Sequence, residues 1–214
     1  MMFRNRLDAA RQLARRLEAW HGQHPLVLTI PRGAVPMGRV IARHLDGDLD
    51  VVLVRKLRAQ QMEEVAIGAV DECGWTWLAP SNAWLRVDEA WLQQEKQLQI
   101  EVLRSRRSLY TPVRPPLDPR GRLVIVVDDG MATGATMVAA LHAVRTRAPR
   151  RLVCAVPVAA PEALALVRPL ADECLCLHAP EHFQAVGQFY ASFAAVEDAD
   201  VVRMLRGHAH HRQR

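Results

Sequence analysis

The sequence predicts an α/β fold with a mainly parallel sheet flanked by helices. Short runs of wholly apolar, β-branched-rich residues alternate with stretches of helical period. Within those runs apolar residues do not alternate with polar ones, so both faces of the sheet must be covered. The length, 214 residues, suits one such domain.

The elements follow in order. Over residues 5–20, Leu7, Ala10, Leu13, Leu17 and Trp20 recur at helical spacing, which predicts an amphipathic helix. "PLVLTI" (25–30) is a short strand that ends at "PRGAVP". Residues 37–45 read as a helix and 49–54, "LDVVLV", as a second buried strand. "VAIGAV" (65–70) and "WTWLA" (75–79), joined through "DECG", read as a hairpin. A long helix is expected over 88–110, where Trp91, Leu98, Val102 and Leu109 follow the period, as do Leu92, Leu103 and Tyr110. The proline-rich connector 111–121 cannot remain helical. Beyond it come a strand at 123–127, a helix at 135–147, a strand at 152–158, a helix at 162–169 and a strand at 173–178. We expect one domain over 1–206 and a polar, disordered tail over 207–214.

Composition narrows the function classes. Half of the residues are hydrophobic and 24% are charged, as in a soluble globular protein. No apolar run approaches the roughly 20 residues of a membrane span. The charged N-terminus has no signal-peptide core, so a cytoplasmic location without membrane partners is expected. Cys73, Cys154, Cys174 and Cys176 lack zinc-site spacing and read as reduced thiols. The net charge is +5, and lysine occurs only at 56 and 96 among 28 basic residues. The arginines are scattered and aromatic residues are few, so phosphorylated small molecules are better candidates than nucleic acid.

"RLVIVVDDGMATGATM" (122–137) carries the chemistry. A buried strand ends on Asp128 and Asp129, and small residues and two threonines follow. In an open parallel sheet, ligands bind outside the carboxyl ends of the strands. Small residues let backbone N–H groups approach an anion, which the start of the next helix also favours. The segment reads as a phosphate cradle beside a carboxylate pair suited to sugar hydroxyls or a hydrated metal ion. A Walker A loop would need Lys where Ala135 stands, and G-x-G-x-x-G is absent. An aspartyl-phosphatase motif would need an acid where Gly130 stands.

"VIVVDDGMATGAT" resembles the signature of type I phosphoribosyltransferases, which bind phosphoribosyl pyrophosphate. "LTIPRGAVPMG", "DVVLVRKL", "EEVAIGAV", "VPVAAPEAL" and "FQAVGQFYASF" extend the resemblance to stand-alone bacterial proteins of that domain. It implies a type I phosphoribosyltransferase-like fold with a small hood at roughly 178–195. It implies that Asp128 and Asp129 hold the ribose hydroxyls with Mg²⁺ nearby. Ala132, Thr133, Gly134, Ala135 and Thr136 would wrap the 5′-phosphate. Arg32, Gly33, Arg55 and Lys56 would meet the pyrophosphate, with a cis peptide between Pro31 and Arg32. Phe183, Val186 and Tyr190 would face the base.

Residues 57–64 correspond to the family's flexible catalytic loop, with Glu64 the candidate for proton transfer. The related group has Gly and Pro where Arg58 and Gln60 stand. The implied reaction is Mg²⁺-dependent transfer of phosphoribosyl to a nucleobase or related nitrogen nucleophile, with pyrophosphate released. The alternative within the same fold is a phosphoribosyl-pyrophosphate-binding regulatory protein without efficient turnover. A homodimer is also implied. Transferases for 6-oxopurines carry Asp where Ala132 stands, so hypoxanthine and guanine are expected to be poor acceptors.

Overall fold

The computed structural model describes residues 2–60, 62–80 and 87–209, without the side chains of 63–65, 208 and 209. Its centre is a five-stranded parallel sheet in the order β2-β1-β6-β7-β8. The strands are β1 (Leu26–Thr29), β2 (Asp48–Val51), β6 (Leu123–Val127), β7 (Arg151–Val158) and β8 (Glu173–His178). A separate antiparallel sheet comprises β3 (Val54–Ala59), β4 (Met62–Asp71) and β5 (Thr76–Leu78). The helices are α1 (Arg6–Arg16), α2 (Val35–His44), α3 (Glu89–Tyr110), α4 (Ala135–Arg145), α5 (Pro161–Val167) and α6 (Asp198–Ala209).

Alternate residues of the central strands feed two cores. Val27, Leu49, Ile125, Val127 and Val153 pack with α1 and α2. Leu26, Leu28, Val124, Val126, Leu152 and Cys154 pack with α4 and α5. Covering both faces explains why the strand runs are apolar throughout. β1 pairs with β6 so that Thr29 lies opposite Val127. The chain leaves β1 towards β2 on one side and β6 towards β7 on the other. The β1–β6 seam is therefore the topological switch point, where a crevice opens beyond the strand ends.

Several expectations change. The apolar run 49–54 is two elements: β2 ends at Val51, Val52 N–H donates to the Thr29 carbonyl at 3.0 Å, and Val54 begins β3 in the other sheet. Both halves are buried, so hydrophobicity gives no sign of the switch. The supposed loop 57–64 is largely a β3–β4 hairpin, with register shifts at Leu57–Arg58 and Arg58–Ala59. α1 turns Leu7 outward and buries Ala9, Ala10, Leu13 and Ala14. α3 buries Leu103 and Tyr110 as the period predicts, but it exposes Leu98 and Leu109 and buries Glu95, Gln99 and Ile100. The helix therefore turns a partly polar face inward, because arginines of β3 lie there to be met.

α6 was not expected. It reaches Ala209, so residues 207–209 of the supposed tail are helical, while 210–214 lie outside the described residues. Asp198 and Asp200 in its first turn suit the positive end of a helix. The cysteines are free: Cys154 is buried, Cys174 and Cys176 are half-buried, and Cys73 is exposed. Among the described residues, no helix is long and apolar enough to cross a membrane.

Candidate active site at the switch point

The β1–β6 register brings "PRG" and "DDG" out side by side. Asp128 Oδ1 accepts from the Asp129 N–H at 2.9 Å. Asp129 Oδ2 accepts from Arg6 Nε at 2.8 Å, and their side chains are 16% and 12% exposed. Arg6 also donates to the Ala194 carbonyl at 2.6 Å and lies 3.7 Å from the centre of the Phe193 ring. The Tyr190 hydroxyl donates to the Asp129 carbonyl at 2.6 Å. Arg6, itself braced by Phe193 and the Ala194 carbonyl, and the Tyr190 hydroxyl thus hold Asp129 in place.

Protein walls take most of the bulk water from both carboxyls. Burial pushes Asp128 well above the usual carboxylate range, and the neighbouring Asp129 charge adds to this. Burial also raises Asp129, against the opposing pull of the Arg6 guanidinium. Two crowded acids are electrostatically costly unless a ligand or cation compensates them.

The loop between β6 and α4 has a fixed frame. Met131 N–H donates to the Val158 carbonyl at 2.9 Å, and Ala160 N–H donates to the Met131 carbonyl at 2.8 Å. These two bonds tie the loop to the end of β7. Gly134 turns the chain into α4 with φ of +78°, a conformation that strains any side-chain-bearing residue. The Ala135 N–H donates to Thr133 Oγ1 at 3.4 Å. The first turn of α4 then faces the cavity through Thr136.

On the β1 side, the Pro31–Arg32 peptide is cis, as the resemblance implies. At Gly33 a Cβ would lie 2.2 Å from Asp129 Oδ2, so only glycine lets the two loops meet. Gly130 has a similar constraint, since a Cβ there would come within 2.6 Å of Val186.

These groups border one cavity of about 340 Å³. Arg32, Gly33, Lys56, Asp128, Asp129, the 132–134 loop and Thr136 line it, with Val186 and Phe193 as an apolar wall. A second cavity, also about 340 Å³, shares Pro31, Lys56 and Thr136 with the first and adds Arg55, Arg58 and Arg106. Arg55 Nε donates to Gln99 Oε1 at 2.5 Å. Burial lowers its pKa from the ordinary arginine value, and the nearby Arg106 and Arg58 charges act the same way. Glu95 Oε1 accepts from the Arg58 N–H at 3.2 Å and from Gln99 at 3.0 Å. The buried polar face of α3 thus supports the basic end of the hairpin.

Most residues named from the sequence converge here: Asp128, Asp129, Ala132, Thr133, Gly134, Thr136, Arg32, Gly33 and Lys56 line the first cavity, and Arg55 lines the second. Ala135 is buried at the start of α4. Of the three expected base contacts, Val186 lines the cavity. Tyr190 is buried against Phe3, its ring 5.5 Å away, and uses its hydroxyl on Asp129. Phe183 packs on Phe189 at 5.1 Å. Glu64 lies in β4, and its side chain is outside the described residues.

The sequence reading missed Arg6, Phe193 and Arg106. Neither Arg6 nor Arg106 carries a local signal, because their place in the site depends on contacts with distant segments. Phe193 lies within "FQAVGQFYASF" but has no local signal that separates it from the other aromatics there.

Comparison with known proteins agrees with this geometry. The family described as "Phosphoribosyl transferase domain" matches residues 4–193. A Mycobacterium tuberculosis protein named "Putative phosphoribosyl transferase" is 37% identical over 205 residues, which cover 95% of this chain and 46% of that protein. The chain thus spans about half the length of the curated relatives it matches. The crystal structure of TT1426 from Thermus thermophilus superposes with a TM-score of 0.81 at 45% identity, covering 97% of this chain and 99% of that one. A Neisseria gonorrhoeae protein solved with bound ppGpp shares the fold, with a TM-score of 0.53 at 12% identity over 97% and 98% of the two chains. The chain belongs to the phosphoribosyl transferase domain family.

Proposed function

We propose that the chain binds phosphoribosyl pyrophosphate with Mg²⁺ and transfers the phosphoribosyl group to a nucleobase or related nitrogen nucleophile, releasing pyrophosphate. One observation carries the reading: an acid pair, a phosphate loop and the "PRG" turn border a single cavity of about 340 Å³. The loop 132–136 and the start of α4 take the 5′-phosphate. Asp128 and Asp129 take the ribose hydroxyls, with Arg6 and Tyr190 fixing Asp129. Gly33, Arg32 and Lys56 take the diphosphate. Val186 and Phe193 give the acceptor an apolar wall.

The residues fit Mg²⁺. Asp128 and Asp129 would hold it, and their crowding in a water-poor pocket favours a compensating cation. Among the described residues, no group of three or more His, Cys, Asp or Glu side chains could hold a metal. So few carboxylates suit Mg²⁺, which dehydrates reluctantly and is commonly held through one or two of them. When bound it supplies positive charge against the leaving diphosphate. The chain itself fixes the sugar by its phosphate and hydroxyls and places basic groups at the leaving end. No covalent protein nucleophile is required. Proton transfer at the acceptor falls to Glu64, and pairing with a second copy completes the reading.

The test combines calorimetry with phosphoribosyl pyrophosphate in Mg²⁺ and pyrophosphate release over a panel of bases. Binding with release by one class of base supports the enzyme. Binding without release by any acceptor supports the regulatory alternative, and no binding refutes both.

A further inference from the structure

We infer that Asp198 is a positioning residue for the diphosphate end of the site, acting through Arg32 and Arg106. The inference rests on the phosphoribosyl pyrophosphate reading above. Asp198 opens α6, beyond the stretch 4–193 that the family match covers. Its carboxylate gathers three groups, one from the "PRG" turn and two from α3. Arg32 of the "PRG" turn lies 3.8 Å from Oδ2, and Arg106 Nε of α3 lies 3.5 Å from Oδ1. The Tyr110 hydroxyl, at the end of α3, donates to Oδ1. The preceding residue, Glu197, accepts from the same Arg32 guanidinium at 2.6 Å.

Arg32 lines the cavity that holds the acid pair, and Arg106 lines the adjoining basic cavity. One carboxylate therefore joins guanidinium groups from the walls of both cavities. Among the described residues, the lining of neither cavity includes Asp198. It reaches a ligand only through the two arginines.

The physical effect is preorganisation. A free arginine loses much rotamer freedom when it meets an anion, and one already held loses less. Two guanidinium groups brought together repel, and a carboxylate between them offsets that repulsion. Tyr110 is fully buried, so its hydroxyl is a fixed anchor for Asp198. Burial, and after it the Asp198 contact, pushes the Tyr110 pKa up, which keeps the phenol a donor.

The test titrates the full chain in Mg²⁺ with two ligands, phosphoribosyl pyrophosphate and ribose 5-phosphate, which lacks the diphosphate. Circular dichroism checks the fold of each variant. Asp198→Asn should weaken phosphoribosyl pyrophosphate binding about tenfold and leave ribose 5-phosphate within about twofold. Tyr110→Phe changes no charge and should move the same ligand the same way by about threefold. Asp198→Glu should restore part of the loss. Unchanged or tighter phosphoribosyl pyrophosphate binding in Asp198→Asn overturns the inference, because Asp198 is then idle or a competitor for Arg32. Equal losses for both ligands overturn it as well, since a general structural role would act that way. A folded wild-type chain that binds neither ligand overturns the phosphoribosyl reading itself, and this inference with it.

Discussion

Arg6 Nε and Asp129 Oδ2 meet at 2.8 Å across 123 positions of sequence. The first turn of the first helix thereby becomes part of the site at the end of β6. Arg6→Gln should remove the charged partner and let Asp129 turn from its working position. A lost hydrogen bond to a charged group costs about 1.5–3 kcal/mol, so phosphoribosyl pyrophosphate should bind roughly 10- to 150-fold more weakly. Calorimetry in Mg²⁺ measures this, and an unchanged affinity would show that Arg6 only staples α1 to the fold.

Gly33→Ala tests the close approach of the two loops. The added Cβ would lie 2.2 Å from Asp129 Oδ2, a distance no relaxed structure tolerates. Overpacking of this kind costs about 1–3 kcal/mol, and it falls directly on the carboxylate proposed to meet the ribose. The variant should fold with a lowered melting temperature and lose detectable phosphoribosyl pyrophosphate binding. A variant that binds normally would mean that the loops separate at little cost.

The acid pair predicts opposite effects on stability and binding. Burial raises the folded-state pKa of both Asp128 and Asp129 above the ordinary 3.8. Their contribution is therefore fully present below the unfolded value and is lost as pH rises through the raised folded values. Without ligand at neutral pH, Asp128→Asn should melt higher than the wild type, and the difference should vanish near pH 3. Binding of Mg²⁺ with phosphoribosyl pyrophosphate should improve as pH rises and the carboxyls ionise. The Asp128→Asn, Asp129→Asn double variant should bind it far more weakly. Thermal melts across pH, with and without ligand, decide both points.

Asp172 runs the other way. Its carboxylate accepts from Arg145 at 2.8 Å and from the Leu152 N–H at 2.6 Å, and the Arg145 hydrogen bond is the main cause that lowers its pKa. This stabilisation is present above the unfolded value and lost as pH falls through the lowered folded one. Asp172→Asn should cost about 1 kcal/mol at neutral pH, modest because the pair is partly exposed. The cost should shrink below pH 3. A pH-independent difference would point to packing in place of charge.

Ala132 bears on the acceptor. It lines the cavity and offers neither charge nor a hydrogen-bonding side chain. Hypoxanthine and guanine should therefore turn over poorly, and Glu64→Gln should slow transfer to the true acceptor. Steady-state comparison of purine bases checks the first expectation. Efficient use of either 6-oxopurine would assign selectivity to the Val186–Phe193 wall instead.

The sequence by itself determined the central strands, most helices and the candidate site. β6 and β8 have the bounds their apolar runs predict, because a strand covered on both faces must be apolar throughout. "DDGMATGAT" was legible for a local reason: paired acids, small residues and a helix start are contiguous, so their chemistry needs no distant partner. Tertiary structure alone decided which residues complete the site. The Thr29–Val127 register brings Gly33 against Asp129, and the packing of α1 carries Arg6 to the same carboxylate. α3 buries Glu95 and Gln99 where periodicity favoured Leu98, because arginines of the hairpin are waiting there. Tyr190 became a clamp on Asp129 because burial left its hydroxyl one nearby carbonyl to satisfy. Each of these depends on groups that are far apart in sequence and meet only when the chain packs, so no local pattern records them.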